Sequence, residues 1–230
     1  MANLKVVGAG DSIQWYKGGW TIFRADIANW VLMALIFGVI AIVLSFIPFI
    51  GALVLNLIAP LFIGGMLYAA QKSDQGQATD IMDIFSMFKD EQRRTPLMIL
   101  GLVMLGLSFV FMMIVGGAMF ASVDLAANAE AVVMPSIGMG WLLIAILIGI
   151  LSAMLFFFAI PLVMFQKMSA IEAIKTSFMA CTKNFPAFII FMLIYVLLAI
   201  IASIPFGLGF LVLLPVMVGA LYIAYKHILA

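Results

Sequence analysis

Few residues in this chain carry side chains able to do chemistry, and they do not cluster. His227 is the only histidine and stands beside Lys226 near the end of the sequence, whereas a metal site needs several His, Cys or carboxylate ligands brought together. Cys181 is the only cysteine, so no intramolecular disulfide can form and a lone thiol is a poor ligand set. Asp80 and Asp83 are paired carboxylates of the kind used in acid–base or metal chemistry, and Lys89, Asp90, Glu91, Arg93 and Arg94 follow them. At that spacing they read as the solvated face of a surface helix, whose basic members can attract anionic lipid heads. Soft thioethers can bind Cu(I), but Met112, Met113 and Met119 belong to a set of 18 methionines that reads as flexible apolar filler. Asn56 is the strongest buried polar candidate. It sits in an uncharged apolar run, where an amide is expected to hydrogen-bond a neighbouring helix or to lie near the outer interface. Gly64-Gly65 and Gly116-Gly117 suit close approach of helices and not a phosphate loop. No Walker, nucleophile-elbow, zincin or dinucleotide pattern occurs, so neither an enzyme nor a cofactor or metal site is expected.

Composition explains the scarcity. The 230 residues are 67% hydrophobic and 9% charged, against about half and about a quarter in a soluble domain. A soluble fold could not cover so much apolar surface. The formal net charge of +1 argues against nucleic acid as a partner. The first 25 residues hold Lys5, Asp11, Lys17 and Arg24 with no apolar run of the signal-peptide kind, so the first span is expected to direct insertion itself.

A membrane helix needs about 20 mainly apolar residues to cross a hydrocarbon core roughly 30 Å thick. Six segments meet or approach that length: Ile27–Ile47, Gly51–Ala70, Pro96–Ala121, Met139–Phe165, Ala187–Ser203 and Leu208–Tyr225. Pro48 marks a tight turn between the first two, and Ile204-Pro205-Phe206-Gly207 one between the last two. All 11 basic residues fall before span one, between spans two and three, between four and five, or after six. Cytoplasmic loops retain Lys and Arg, so both termini are placed in the cytoplasm. The opposite side is assigned only Asp124 and Glu130, in the connection Ser122–Gly138.

The three hairpins share an organisation. Each follows a short stretch with apolar residues at i, i+3 and i+7, the stripe of one helix face: Ile13, Tyr16, Trp20; Ile81, Ile84, Phe88; Ile171, Ile174, Phe178. Ser169 with Glu172 forms a capping box, and Asp80 is an N-cap candidate. Pro96 and Pro186 each fall eight residues after the Phe of their stretch, as expected at the start of a span. Span two ends Gly65-Met66-Leu67-Tyr68-Ala69-Ala70-Gln71-Lys72 and span six ends Gly219-Ala220-Leu221-Tyr222-Ile223-Ala224-Tyr225-Lys226, both GxLYxAxK. Span four ends more loosely at Phe165-Gln166-Lys167. Tyr16, Trp20, Tyr68, Lys72, Lys167, Tyr222 and Lys226 are therefore expected as interfacial anchors. The prediction is an all-α polytopic membrane bundle, one domain of six transmembrane helices with three cytoplasmic-side amphipathic helices. It divides into three repeats at about 11–72, 79–167 and 169–227.

The stretch Trp15-Tyr16-Lys17-Gly18-Gly19-Trp20-Thr21-Ile22-Phe23, the first hairpin with Ile47-Pro48 and Ala59-Pro60, and Ala173-Ile174-Lys175-Thr176-Ser177-Phe178-Met179-Ala180-Cys181 leading to Asn184 carry a family likeness. The chain resembles uncharacterised bacterial inner-membrane proteins of the YciC-like kind and, more distantly, the membrane domain attached to some glycerophosphodiester phosphodiesterases. The resemblance implies a bacterial cytoplasmic membrane and a six-helix fold, and it brings no catalytic residues.

These readings favour a non-enzymatic accessory module whose partners are membrane lipids, other membrane proteins or further copies of itself. The alternative is a transporter or channel for a small or amphiphilic solute. Repeats and the prolines within spans, Pro60, Pro161 and Pro215, suit that alternative, whereas span interiors without ionisable residues disfavour ion coupling.

Overall fold

The computed structural model describes residues 4–122 and 139–230. Asp124 and Glu130 lie outside the described residues. The described chain is helical throughout, with no strand: α1 (Asp11–Ala25), α2 (Ile27–Ser45), α3 (Ile50–Asp74), a short 3₁₀ helix (Ile81–Phe85) running into α4 (Ser86–Lys89), α5 (Glu91–Ser122), α6 (Met139–Phe156), α7 (Ala159–Gln166), α8 (Ala170–Lys183), α9 (Phe185–Ser203) and α10 (Phe210–Leu229). Six helical stretches are long and apolar enough to cross a membrane, with α6 and α7 together forming the fourth.

The sequence-derived spans coincide with these helices, and the ends differ where a cap decides them. α5 starts at Glu91, five residues before Pro96, because the Asp90 carboxylate accepts from the amides of Gln92 and Arg93. Pro186 does fall in the first turn of α9. Asp26 caps α2 through Asn29 N, and Ser169–Glu172 and Asp80–Asp83 both close as capping boxes.

The returning spans of the first and third hairpins lie inside the bundle. The qualifying windows of α3 and α10 are 44% and 56% buried, against 17% for α2 and α5 and 22% for α9. In the second hairpin the inner part is α7, buried from Ala159 to Met164. The three inner helices pack on one another, and each short element lies on the inner helix of the preceding repeat. Thus α1 lies on α10, the 3₁₀ helix on α3, and α8 on α6 and α7. The order is cyclic. Two contacts depend on glycine, since a Cβ on Gly19 would come within 2.4 Å of Val216 O and one on Gly65 within 2.3 Å of Ile84 O.

The apolar stripes of the short elements do not all face inward. In α8 the packed residues are Ala170, Ala173, Ser177, Ala180 and Cys181, while Ile171 and Phe178 are exposed. In α1 Tyr16 is buried, yet Ile13 and Trp20 are exposed. Small residues let helix backbones approach, and large apolar ones gain nothing from avoiding hydrocarbon. In α8 large apolar residues therefore face out and small ones face in, whereas α1 also buries Trp15, Ile22 and Phe23.

The fourth span is broken at Phe157–Phe158. Pro161 has no N–H to give the Phe157 carbonyl, and its ring crowds that group. One residue on, the Ser177 hydroxyl from α8 enters the ladder: Phe158 N donates to Ser177 Oγ (2.9 Å), which donates to Met154 O (2.8 Å). Those two backbone groups are the i, i−4 pair of an unbroken helix. A hydroxyl inserted into the ladder fixes the bend.

Candidate functional site

The ends of α3, α7 and α10 meet at the charged end of the bundle. Lys72 Nζ pairs with Asp83 (2.8 and 3.1 Å) and lies 5.8 Å above the Tyr68 ring. In the matching sequence of α10, Lys226 Nζ lies 5.7 Å above the Tyr222 ring and donates to Asp74 Oδ2 (2.6 Å), which also accepts from the Tyr222 hydroxyl (3.1 Å). Gln166 Nε2 donates to Leu229 O (2.9 Å), and Phe165 packs against Tyr222 and Tyr225. Each GxLYxAxK end thus turns its lysine back over its own tyrosine and joins it to a carboxylate of another element. Lys167 is exposed and closes α7 in the left-handed region (φ 54°). Tyr16 points inward and donates to Phe191 O (2.9 Å), and the half-exposed Trp20 packs on Phe23.

Two further groups tie the repeats at this end. Thr79 Oγ1 and Asn29 Nδ2 both donate to Asp26 Oδ2. Burial pushes the Asp26 carboxyl up, but these bonds with that from Asn29 N outweigh it and hold the pKa below the ordinary carboxylate value. Asn184 accepts from Val7 N (2.8 Å) and donates to Lys5 O (3.1 Å), and Lys5 N donates to Ile228 O (3.0 Å), which clamps the N-terminal segment onto the end of α10. Burial pushes the Cys181 thiol up, away from the thiolate a nucleophile needs. Asn56 donates to Ala52 O of its own helix (2.9 Å), and among the described residues its amide joins no neighbouring helix.

The broadest apolar lining belongs to a groove between α6, α7, α9 and α10, whose α10 wall includes Leu213, Leu214 and Met217. It has a volume of about 350 Å³ and is lined by residues that include Ala153, Phe157, Ile160, Phe191, Met192 and Tyr195. A second cavity of about 340 Å³ shares Ala153 and Met192 with it and continues along α6 and α9 past Gly149 and Val196. Exposed Ile146, Leu193 and Val196 stand along the seam. Tyr195 supplies the single hydroxyl of the first cavity.

A residue difference at equivalent positions accounts for the opening. Five residues after Pro96 stands Gly101, where a Cβ would come within 2.4 Å of Asn56 O and 2.9 Å of Leu57 Cα. There α5 lies directly on the backbone of α3. Five residues after Pro186 stands Phe191, whose ring stacks on Tyr16 (4.7 Å) and meets Phe157 edge-on (4.9 Å). Phe157 in turn meets Phe188 (5.3 Å), so a wedge of rings holds α9 off α7. None of Phe157, Phe191, Tyr195 and Ser177 stands out in an apolar sequence. The shared spacing after the two prolines is the signal that could have found Phe191.

Comparison of the chain with protein-family models, with curated proteins and with solved structures finds no match.

Proposed function

We propose that this chain is a non-enzymatic membrane module that binds lipid, taking an acyl chain into the groove between α6, α7, α9 and α10. The open, apolar seam carries the proposal. Its volume lies within the roughly 300–1,000 Å³ range of ligand pockets, its first cavity has one hydroxyl, and exposed apolar residues flank it where hydrocarbon would stand. The setting proposed is a bacterial cytoplasmic membrane with both termini cytoplasmic. It is supported by the segregation of Lys and Arg and by the resemblance to YciC-like proteins. Other membrane proteins or a second copy are the further partners proposed.

The test is mass spectrometry of the protein purified in mild detergent and washed extensively. Retained lipid is the expected result, reduced in an Ala153→Trp variant that fills the groove. Repeated recovery of bare protein overturns the proposal.

One observation favours a second reading, passage of a small or amphiphilic solute. The broken span α6–α7 forms a wall of the groove, and discontinuous spans line the substrate sites of many transporters. Flux into proteoliposomes above that of protein-free vesicles is the result that would favour it.

A further inference from the structure

A second cavity of different character lies at the charged end, where α3, α4 and α5 meet the end of α7. It holds about 290 Å³ and is lined by Tyr68, Gln71, Ser86, Asp90, Arg93 and Phe165, over a floor that includes Met87 and Met164. Around Gly64 the floor is close-packed. A Cβ on Gly64 would meet Met87, Met164 and Leu97 at 3.0–3.2 Å, and beyond it, one turn along α7, Ile160 belongs to the apolar groove.

Two opposite charges are fixed on the wall. Arg93 Nε donates to Met164 O (2.7 Å) and Nη1 donates to Asp90. A guanidinium has five N–H donors, so the fork keeps donors for a ligand, and the Arg93 and Asp90 side chains remain 27% and 23% exposed. Burial acts to raise the Asp90 carboxyl, but the amides of Arg93 and Gln92 and the Arg93 guanidinium hold it below the ordinary value. The rings of Tyr68 and Phe165 complete the wall, and a ring face attracts a cation.

We propose that this cavity is a headgroup site for a phospholipid carrying both a phosphate and an ammonium. The phosphate lies against Arg93, and the ammonium lies between Asp90 and the ring of Phe165, since Lys72 already stands over the Tyr68 ring. Arg93 and Asp90 leave the wall without net charge, so a group bearing both signs matches it and a bare anion does not. The assignment rests on the lipid-binding reading and adds the class of lipid.

The full chain is equilibrated with equal amounts of phosphatidylethanolamine and phosphatidylglycerol of identical acyl chains, and the lipid retained is counted by native mass spectrometry. Retention of the ethanolamine lipid is expected to exceed that of the glycerol lipid about tenfold, the worth of one charge-assisted contact. Arg93→Gln and Asp90→Asn are expected to erase that preference. Phe165→Leu, which leaves the α5 cap intact, is expected to weaken it, so the assignment stays testable if the cap variants misfold. Ala153→Trp is expected to lower total retention without altering the ratio. Lipid retained with no preference, or with preference for the anionic lipid, overturns the headgroup site alone. Retention of soluble phosphoethanolamine in preference to the lipid, with the two at equal concentration, assigns the cavity to the free ester and overturns the lipid. No retained lipid overturns this site together with the groove.

Discussion

The outer spans of the second and third repeats begin alike and pack differently. Each carries a proline near its start, and the fifth residue beyond meets the preceding repeat. In α5 that residue is Gly101, and the helix closes onto α3 at backbone distance. In α9 it is Phe191, and rings from three helices hold the seam open. The α3–α5 contact is therefore closed, while the side of α9 that faces α6 and α7 stays open. A single large residue at a contact position is enough to turn a helix interface into a groove, because glycine sets the approach of one pair and a ring sets the approach of the other.

The comparison can be broken most severely at the closed seam. Gly101→Phe places a ring where even a Cβ meets backbone at 2.4 Å, so a loss of about 3 kcal/mol or more is expected from overpacking. Thermal unfolding in detergent measures it, and wild-type behaviour would mean that the α3–α5 contact is not as close as described. Phe191→Ala at the open seam is expected to cost about 3 kcal/mol through the lost ring and the cavity left behind. It should enlarge the groove without bringing α9 onto α7, since Phe157 and Phe188 remain. Cysteine pairs placed across the seam report the separation, and cross-linking that rises sharply in this variant would refute the wedge.

Smaller effects sharpen the picture. Ser177→Ala removes the hydroxyl from the ladder of the bent span and leaves Phe158 N and Met154 O to re-pair or stay unsatisfied. The expected cost is about 2 kcal/mol, read as a lower melting temperature, and no change would show that Pro161 alone sets the bend. The smallest effect concerns pH. The pKa of Asp26 is lowered in the folded protein from its ordinary value of 3.8, so its contribution to stability is full above that value and is lost as pH falls through the lower folded pKa. Asp26→Asn should flatten the acid limb of the stability profile, and an unchanged limb would show that the Asp26–Thr79 tie contributes nothing.

The spans were legible because hydropathy over about 20 residues is a strong signal. The break after Phe156 had a visible cause in Pro161, but the partner that fixes it, Ser177, lies in another repeat. Periodicity located the short elements and not the faces that pack. In α8 the stripe Ile171, Ile174, Phe178 marks one face, and the bundle buries Ala173 and Ser177 of another. In water an apolar stripe must turn inward, whereas in a membrane it can turn either way. The same ambiguity concealed Tyr195, which reads as one more apolar residue until the groove gives it a position. Asn56 drew attention because amides are rare in spans, yet its hydrogen bond stays within its own helix. The pairs Tyr68–Lys72 and Tyr222–Lys226 were legible as a repeated sequence, while Asp83 and Asp74 as partners of the two lysines depended on the fold.

The most direct test of the open seam is photo-cross-linking with a phospholipid carrying a diazirine in mid-chain, reconstituted with the full chain and followed by peptide mapping. Adducts are expected to concentrate on α6 and α9 at Ala153, Met192 and Tyr195, with none at Gly101 in the closed seam. Labelling spread evenly over the outward faces of all six spans, with no enrichment at the groove, would contradict the open seam.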